Sequence, residues 1–235
     1  MKKFTSLFSA GIILSTMVGG GLTAFADAPE EPAMTVADTT KTPVTATFQL
    51  PDDGGSNPSV PGDPGDQDNT NNNSSKSFAI AYQPKVFDFG TTKLKEEGQQ
   101  IIDSTNTKEL HVGVKDKRRE AKSWTLKAGL TWESENAEQM DGTFIQVQNT
   151  KVAVNKEGIA TDTATATADG VTGASSFNIG TNGTVNVMTA NAKQRNDVYD
   201  MNLGEKVKLV LPNAKNVSAG TYTGNVTWTL ESAPE

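Results

Sequence analysis

Gly220-Thr221-Tyr222-Thr223-Gly224-Asn225-Val226-Thr227-Trp228-Thr229-Leu230 lies near the end of the sequence and closes in Trp-Thr-Leu. The same tripeptide, Trp124-Thr125-Leu126, stands about a hundred residues earlier, in Lys122-Ser123-Trp124-Thr125-Leu126-Lys127-Ala128. In a β-strand, alternate side chains share a face, so each Trp points the same way as its Leu and the Thr points away. Tyr222, Gly224, Val226, Trp228 and Leu230 then form one face of a late strand. Trp124, Leu126, Ala128 and Leu130 form one face of an earlier one. Two strands with one face pattern predict a pairing that organises the fold.

The chain has 235 residues, enough for one domain with extras. Its hydrophobic content is 35%, low for a compact globular chain, so part of it is expected to lie outside a packed core. Cysteine is absent, which excludes disulfides, zinc–thiolate sites and thiol nucleophiles. Met1-Lys2-Lys3, the apolar run Leu7–Val18 and Ala24-Phe25-Ala26 read as a secretory signal peptide over residues 1–26, cleaved between Ala26 and Asp27. The apolar run falls short of the ~20 residues a spanning helix needs, and no later segment could span. The mature chain is expected to be secreted, without a membrane span.

Residues 27–42 are polar and acidic, a flexible leader. Val44-Thr45-Ala46-Thr47-Phe48-Gln49-Leu50 alternates as a strand, expected to join the main sheet. Residues 51–76 hold one aliphatic residue, Val60, among Pro, Gly, Asp, Asn and Ser, and read as a disordered loop or linker interrupting a β domain over 43–235. Residues 27–76 carry nine acids and two lysines, whereas 77–235 come close to neutral, so the low pI belongs to this acidic stretch.

From residue 77 the texture is β. Strands are expected at Phe78–Tyr82, with Val86–Gly90 continuing it past Pro84, and at Leu110–Val114, the last in a hairpin with the Trp124 strand. A second hairpin is expected from Phe144–Val147 and Lys151–Val154. Ala160–Ala168 reads as an exposed or edge segment, and Val171–Ile179, Thr184–Thr189 and Val207–Leu211 as further strands. Thr92–Gln100 and Ser134–Met140 are the helical candidates. The whole predicts an all-β fold, an antiparallel immunoglobulin-like β-sandwich.

Catalysis finds little support. The single histidine, His111, sits in an alternating strand and reads as a solvent-side or edge residue. No hydrolase, zincin or phosphate-loop motif occurs, and no carboxylate pair is isolated. No enzyme activity, cofactor or metal is expected. Lys115, Lys117, Arg118, Arg119 and Lys122 form the densest positive cluster, a candidate contact for an anionic polymer, with a solvated turn as the plainer reading. Nucleic-acid binding is disfavoured at 6% aromatic residues and net negative charge. Binding then rests on Trp124, Trp132 and Trp228, with Leu126 and Leu230 beside them; core and ligand-contact roles both stand, with the core favoured for Trp124 and Trp228.

These motifs, in this order, resemble the WxL-domain surface proteins of low-GC Gram-positive bacteria. Ala46-Thr47-Phe48 precedes a Pro/Gly/Asp-rich stretch. Val86-Phe87-Asp88-Phe89-Gly90 looks like the family's hydrophobic-Asp-Phe-Gly element. His111-Val112-Gly113-Val114-Lys115-Asp116 leads to the first Trp-x-Leu, and Tyr222 to the second. The first motif departs from the family in its approach, which is Arg118–Ser123 rather than Gly-rich. The resemblance implies non-covalent attachment to peptidoglycan or another wall polymer at the cell surface. It also implies an alternative: a subunit of a surface complex, or an adhesin, whose main ligand is a protein such as a larger membrane-anchored WxL-interacting partner. No sortase signal or lipobox cysteine is present, in keeping with non-covalent attachment.

Overall fold

A computed structural model describes residues 40–133, 137–204 and 206–234. The expected signal peptide, its cleavage site and most of the leader lie outside them. Two compact units are distinguished, residues 1–47 and 48–235. In the first, Thr40–Thr47 has no regular structure and is exposed.

Among the described residues the second unit holds fourteen strands: β1 (Asn69–Asn71), β2 (Phe78–Pro84), β3 (Gln100–Asp103), β4 (His111–Asp116), β5 (Trp124–Trp132), β6 (Phe144–Gln148), β7 (Lys151–Lys156), β8 (Ile159–Asp162), β9 (Val171–Gly173), β10 (Ser176–Gly180), β11 (Val185–Ala190), β12 (Asp197–Asn202), β13 (Lys208–Leu211) and β14 (Gly224–Ser232). One short helix, α1 (Thr163–Ala168), follows β8, and its N-cap Asp162 accepts from the Thr165 backbone N–H. All pairings are antiparallel, in three sheets ordered β1-β2-β4-β12-β7-β8, β10-β6-β13-β3 and β14-β5-β11-β9. Their inner faces meet in one apolar cluster, so the expected all-β sandwich is the fold observed.

The two Trp-Thr-Leu strands pair as their sequences predict. Leu230 lies opposite Leu126, Trp228 opposite Ala128 and Ser232 opposite Trp124. On β5, Trp124, Leu126, Ala128 and Leu130 are buried while the residues between them are half-buried, the alternation of a strand with one core face.

The expected hairpins do not form. β4 and β5 enter different sheets, as do β6 and β7. Short connections that read as hairpin turns here carry the chain from one layer of the sandwich to the other, the Greek-key economy of such folds. At the first corner Arg119 adopts φ +58°, and at the second Asn149 adopts the same φ. Thr92–Gln100 is not helical; of the other helical candidate, Ala137–Met140 forms a 3-10 turn, and residues 134–136 lie outside the described residues. Val86–Gly90 is irregular rather than a strand.

Two expectations about the N-terminal half are corrected. Val44–Leu50 forms no strand; Val44 and Phe48 are each 91% exposed. Residues 51–76 are not a free linker. Val60 packs with Ala81, Tyr82 and Val198 in a second, smaller cluster on the outer side of the β1-β2-β4 sheet. Polar side chains do the rest. The Asp63 carboxylate accepts from the backbone N–H of Gln67, Asp68 and Asn69, and Asn155 donates to the Ser59 carbonyl. Gly54, at φ +66°, passes so close to Ser75 that a Cβ would stand 2.2 Å from its carbonyl oxygen. Composition understates this segment because hydrogen bonds, not apolar area, fix it.

Candidate functional site

β4 is buried on both faces, which breaks up the predicted positive cluster. Lys115 is fully buried, its Nζ donating to the carbonyls of Gly55 and Ser74. Burial holds its ammonium below the usual lysine range, and Lys117 nearby adds to this. Arg118 turns inward: its Nε donates to Asp116 Oδ1 at 2.9 Å, and its guanidinium stacks over Phe78 at 3.7 Å. Lys117 donates to Ser56, Lys122 pairs with Glu120 at 3.1 Å, and Arg119 alone of the five is exposed rather than half-buried or buried. Two of the five, Lys115 and Arg118, are thus drawn into the protein, and Lys117, Arg119 and Lys122 keep some exposure.

Asp116 is the centre of what replaces it. Fully buried, it accepts from Arg118 and from the indole Nε1 of Trp124 at 3.0 Å, and Arg195 lies 3.7 Å away. Arg195 is also buried and donates to the carbonyls of Asp169, Lys122 and Lys193. Charges this deep persist only when paired and hydrogen-bonded, and these are. Trp124 stands 6.3 Å from Tyr199, ring to ring, and Tyr199 donates to Asp169. Trp124 and Leu126, 2% and 0% exposed, are out of a ligand's reach.

His111 is buried as well, against the expectation of a solvent-side residue. Its Nδ1 lies 3.0 Å from Asp200 Oδ1, which also accepts from Tyr82, and Tyr82 in turn accepts from Asn155. Burial pushes the Asp200 carboxyl up and the Tyr82 phenol well up. Gly113, between the His111 and Lys115 positions on that face, makes room for the Tyr82 ring; a Cβ there would stand 2.4 Å from it.

Two of the three remaining predicted residues converge on one open feature. Trp132, Trp228 and the half-buried Leu230 lie along β5 and β14, and the two tryptophans line a groove of about 1280 Å³. Its floor is the core itself, the buried Leu130, Ile145 and Leu209 among it. One wall is the Ser218–Trp228 region with Tyr222 and Val226; another is Lys85–Leu94. Trp132 is held by its indole N–H donating to Thr143 Oγ1 at 2.9 Å, and Tyr222 by its hydroxyl donating to the Ser218 carbonyl.

Phe87, Asp88 and Phe89, which carry part of the family resemblance in the sequence, shape this wall. Asp88 Oδ1 accepts from the Gly90 backbone N–H at 2.8 Å, Gly90 takes φ +59°, and the Asp88 carbonyl accepts from Thr105 N–H. This Asx-type turn sets the two flanking phenylalanines half-buried against the core. Alternating bulky residues around an Asp-Phe-Gly turn were the signal available in the sequence.

A family model described as WxL domain, surface cell wall-binding, matches residues 35–234. No curated protein and no solved structure matches the chain.

Proposed function

The chain belongs to the WxL family of surface cell wall-binding domains, and from that premise we propose that it is a secreted protein held non-covalently on peptidoglycan, binding its ligand without transforming it. The observation that carries this reading is the extent of the match, residues 35–234, which makes the wall-binding domain nearly the whole of the described chain. Among the described residues, no helix is long and apolar enough to cross a membrane.

The proposed wall contact is the Trp132–Tyr222 end of the groove. An aromatic ring pinned at its polar tip offers a rigid face to a sugar ring at small entropic cost. Lys85 and Asp88 on the facing wall supply polar groups for hydroxyls and peptide stems. Trp124 and Leu126 support this site from within the core, and the former basic cluster takes no part.

Co-sedimentation of the purified mature protein with protein-free peptidoglycan tests the reading. Retention at physiological salt is expected; a protein that stays wholly in the supernatant overturns it. Trp132→Ala is expected to lose retention. Trp132→Phe, which keeps a ring, is expected to retain part of it, with melting temperature recorded for both to separate lost contact from lost fold.

A further inference from the structure

We infer that Val44–Leu50 of one copy adds as a strand to the free edge of β14 in a second copy, seating Phe48 in the groove beside Trp228. The segment is an unspent strand. Val44, Ala46, Phe48 and Leu50 share a face, no residue in it is charged, and none of it pairs in any sheet among the described residues. Phe48 at 91% exposure leaves a large aromatic ring in water. Exposed alternating strands of this kind are the ones that pair with another chain.

β14 is the complementary acceptor. Among the described residues it pairs with β5 on one side and with nothing on the other, and its nine residues make it the longest edge strand of the three sheets. Edge strands are ordinarily blunted by Pro, charge or a bulge. Gly224–Leu230 contains no Pro and no charge, and its register with β5 runs unbroken. Its inner face, Val226, Trp228 and Leu230, is only half-buried, so apolar area on that face is left for a neighbour. The two strands match face for face: Thr45 and Thr47 correspond to Thr227 and Thr229 outside, and apolar residues stand on both inner faces. Seven extended residues span ~23 Å, within the ~30 Å of a nine-residue strand.

Donor and acceptor are different surfaces, so every copy can give and receive. The contact is heterologous and grows into open chains rather than closed dimers. The added strand covers Val226 and Trp228 and leaves the Trp132–Tyr222 end open, and it does not depend on wall binding.

Sedimentation velocity of the mature chain over a concentration series is expected to show a growing series of oligomers; a monomer at every concentration overturns the proposal. Phe48→Asp is expected to weaken association by about ten- to a hundred-fold with unchanged melting temperature; undiminished association overturns it. The chain has no cysteine, so cross-linking reads directly. Thr47→Cys mixed with Thr227→Cys or Thr229→Cys is expected to give an oxidised heterodimer. A chain carrying both cysteines that bridges only within itself places the strand on its own edge and overturns the second copy. Peptidoglycan retention of monomeric Phe48→Asp reports separately on the wall proposal.

Discussion

The indole nitrogen of Trp124 donates to Asp116 Oδ2 at 3.0 Å, with both side chains buried. This bond ties the first Trp-Thr-Leu to the end of β4 and to a cluster in which Arg118 and Arg195 share one carboxylate. Among the described residues the second Trp-Thr-Leu has no such tie; Trp228 lies on an edge strand opposite Ala128. The repeated tripeptide therefore serves two purposes: one tryptophan anchors a buried ionic cluster, and the other borders a groove.

Trp124→Phe removes the donor and keeps most of the ring. Asp116 retains its arginines, so the expected loss is about 1–3 kcal/mol, that of a buried bond to a charged group. Trp124→Ala adds a cavity and is expected to cost ~3–5 kcal/mol. Urea unfolding followed by tryptophan fluorescence measures both. Peptidoglycan retention of folded Trp124→Phe is expected to equal that of the wild type, because the residue is out of a ligand's reach.

The pairing of the two Trp-Thr-Leu strands was legible because alternation states a strand's faces directly. Layer assignment was not. A connection of seven residues, as between β4 and β5, or of two, as between β6 and β7, looks alike whether it turns back within a sheet or crosses to the other, and Arg119 and Asn149 at φ +58° mark the corners where the crossing is made. Residues 51–76 depart from what their composition suggests for a different reason: Asp63, Asn69 and Asn71 order backbone through hydrogen bonds that an apolar count ignores. Of the candidate site, the tryptophans were visible but not their separation into buried and accessible, and Lys115 read as a surface charge until both faces of β4 were covered.

Asp63 tests the ordering of that segment. Burial raises its carboxyl, but N–H donation from Gln67, Asn69 and Asp68 outweighs this and holds it below the ordinary value of 3.8. A lowered carboxylate adds stability above the unfolded-state value, and that stability is lost as pH falls through the folded value. Asp63→Ala is expected to cost about 1–3 kcal/mol at neutral pH, to raise amide exchange over residues 60–72, and to flatten the acid limb of the stability curve below pH 3.8.

Asp200 predicts the opposite slope. Burial raises its carboxyl above 3.8, against the hydrogen bonds from His111 and Tyr82. The folded chain then holds a proton that the unfolded chain has released, so this group's contribution falls as pH rises from 3.8 through the folded value. Asp200→Asn keeps an acceptor for Tyr82 and removes the titration. Its stability is expected to fall less than the wild type's over that rise, as read by thermal melts at stepped pH.

Gly113→Ala addresses the same network by shape alone. The new Cβ would stand 2.4 Å from the Tyr82 ring, so Tyr82 must leave its place between Asp200 and Asn155. Overpacking of this kind costs about 1–3 kcal/mol, and buried polar groups left without partners add to it. A near-neutral melting temperature for Gly113→Ala would show that Tyr82 has room to move.

Arg195 gives the sharpest test of the buried cluster. Its guanidinium donates to the carbonyls of Asp169, Lys122, Lys193 and Asn191 and faces Asp116, which uses every edge of a planar fork. Arg195→Ala strips donors from four carbonyls and a cation from a buried carboxylate, for an expected ~3–5 kcal/mol. Arg195→Lys restores the charge but not the fork; a point ammonium cannot reach carbonyls on several sides at once, so rescue is expected to be slight. Denaturant midpoints of the two variants decide this. Full rescue by lysine would mean that the cluster needs only a positive charge, and that the carbonyl contacts along residues 191–193 contribute nothing to the fold.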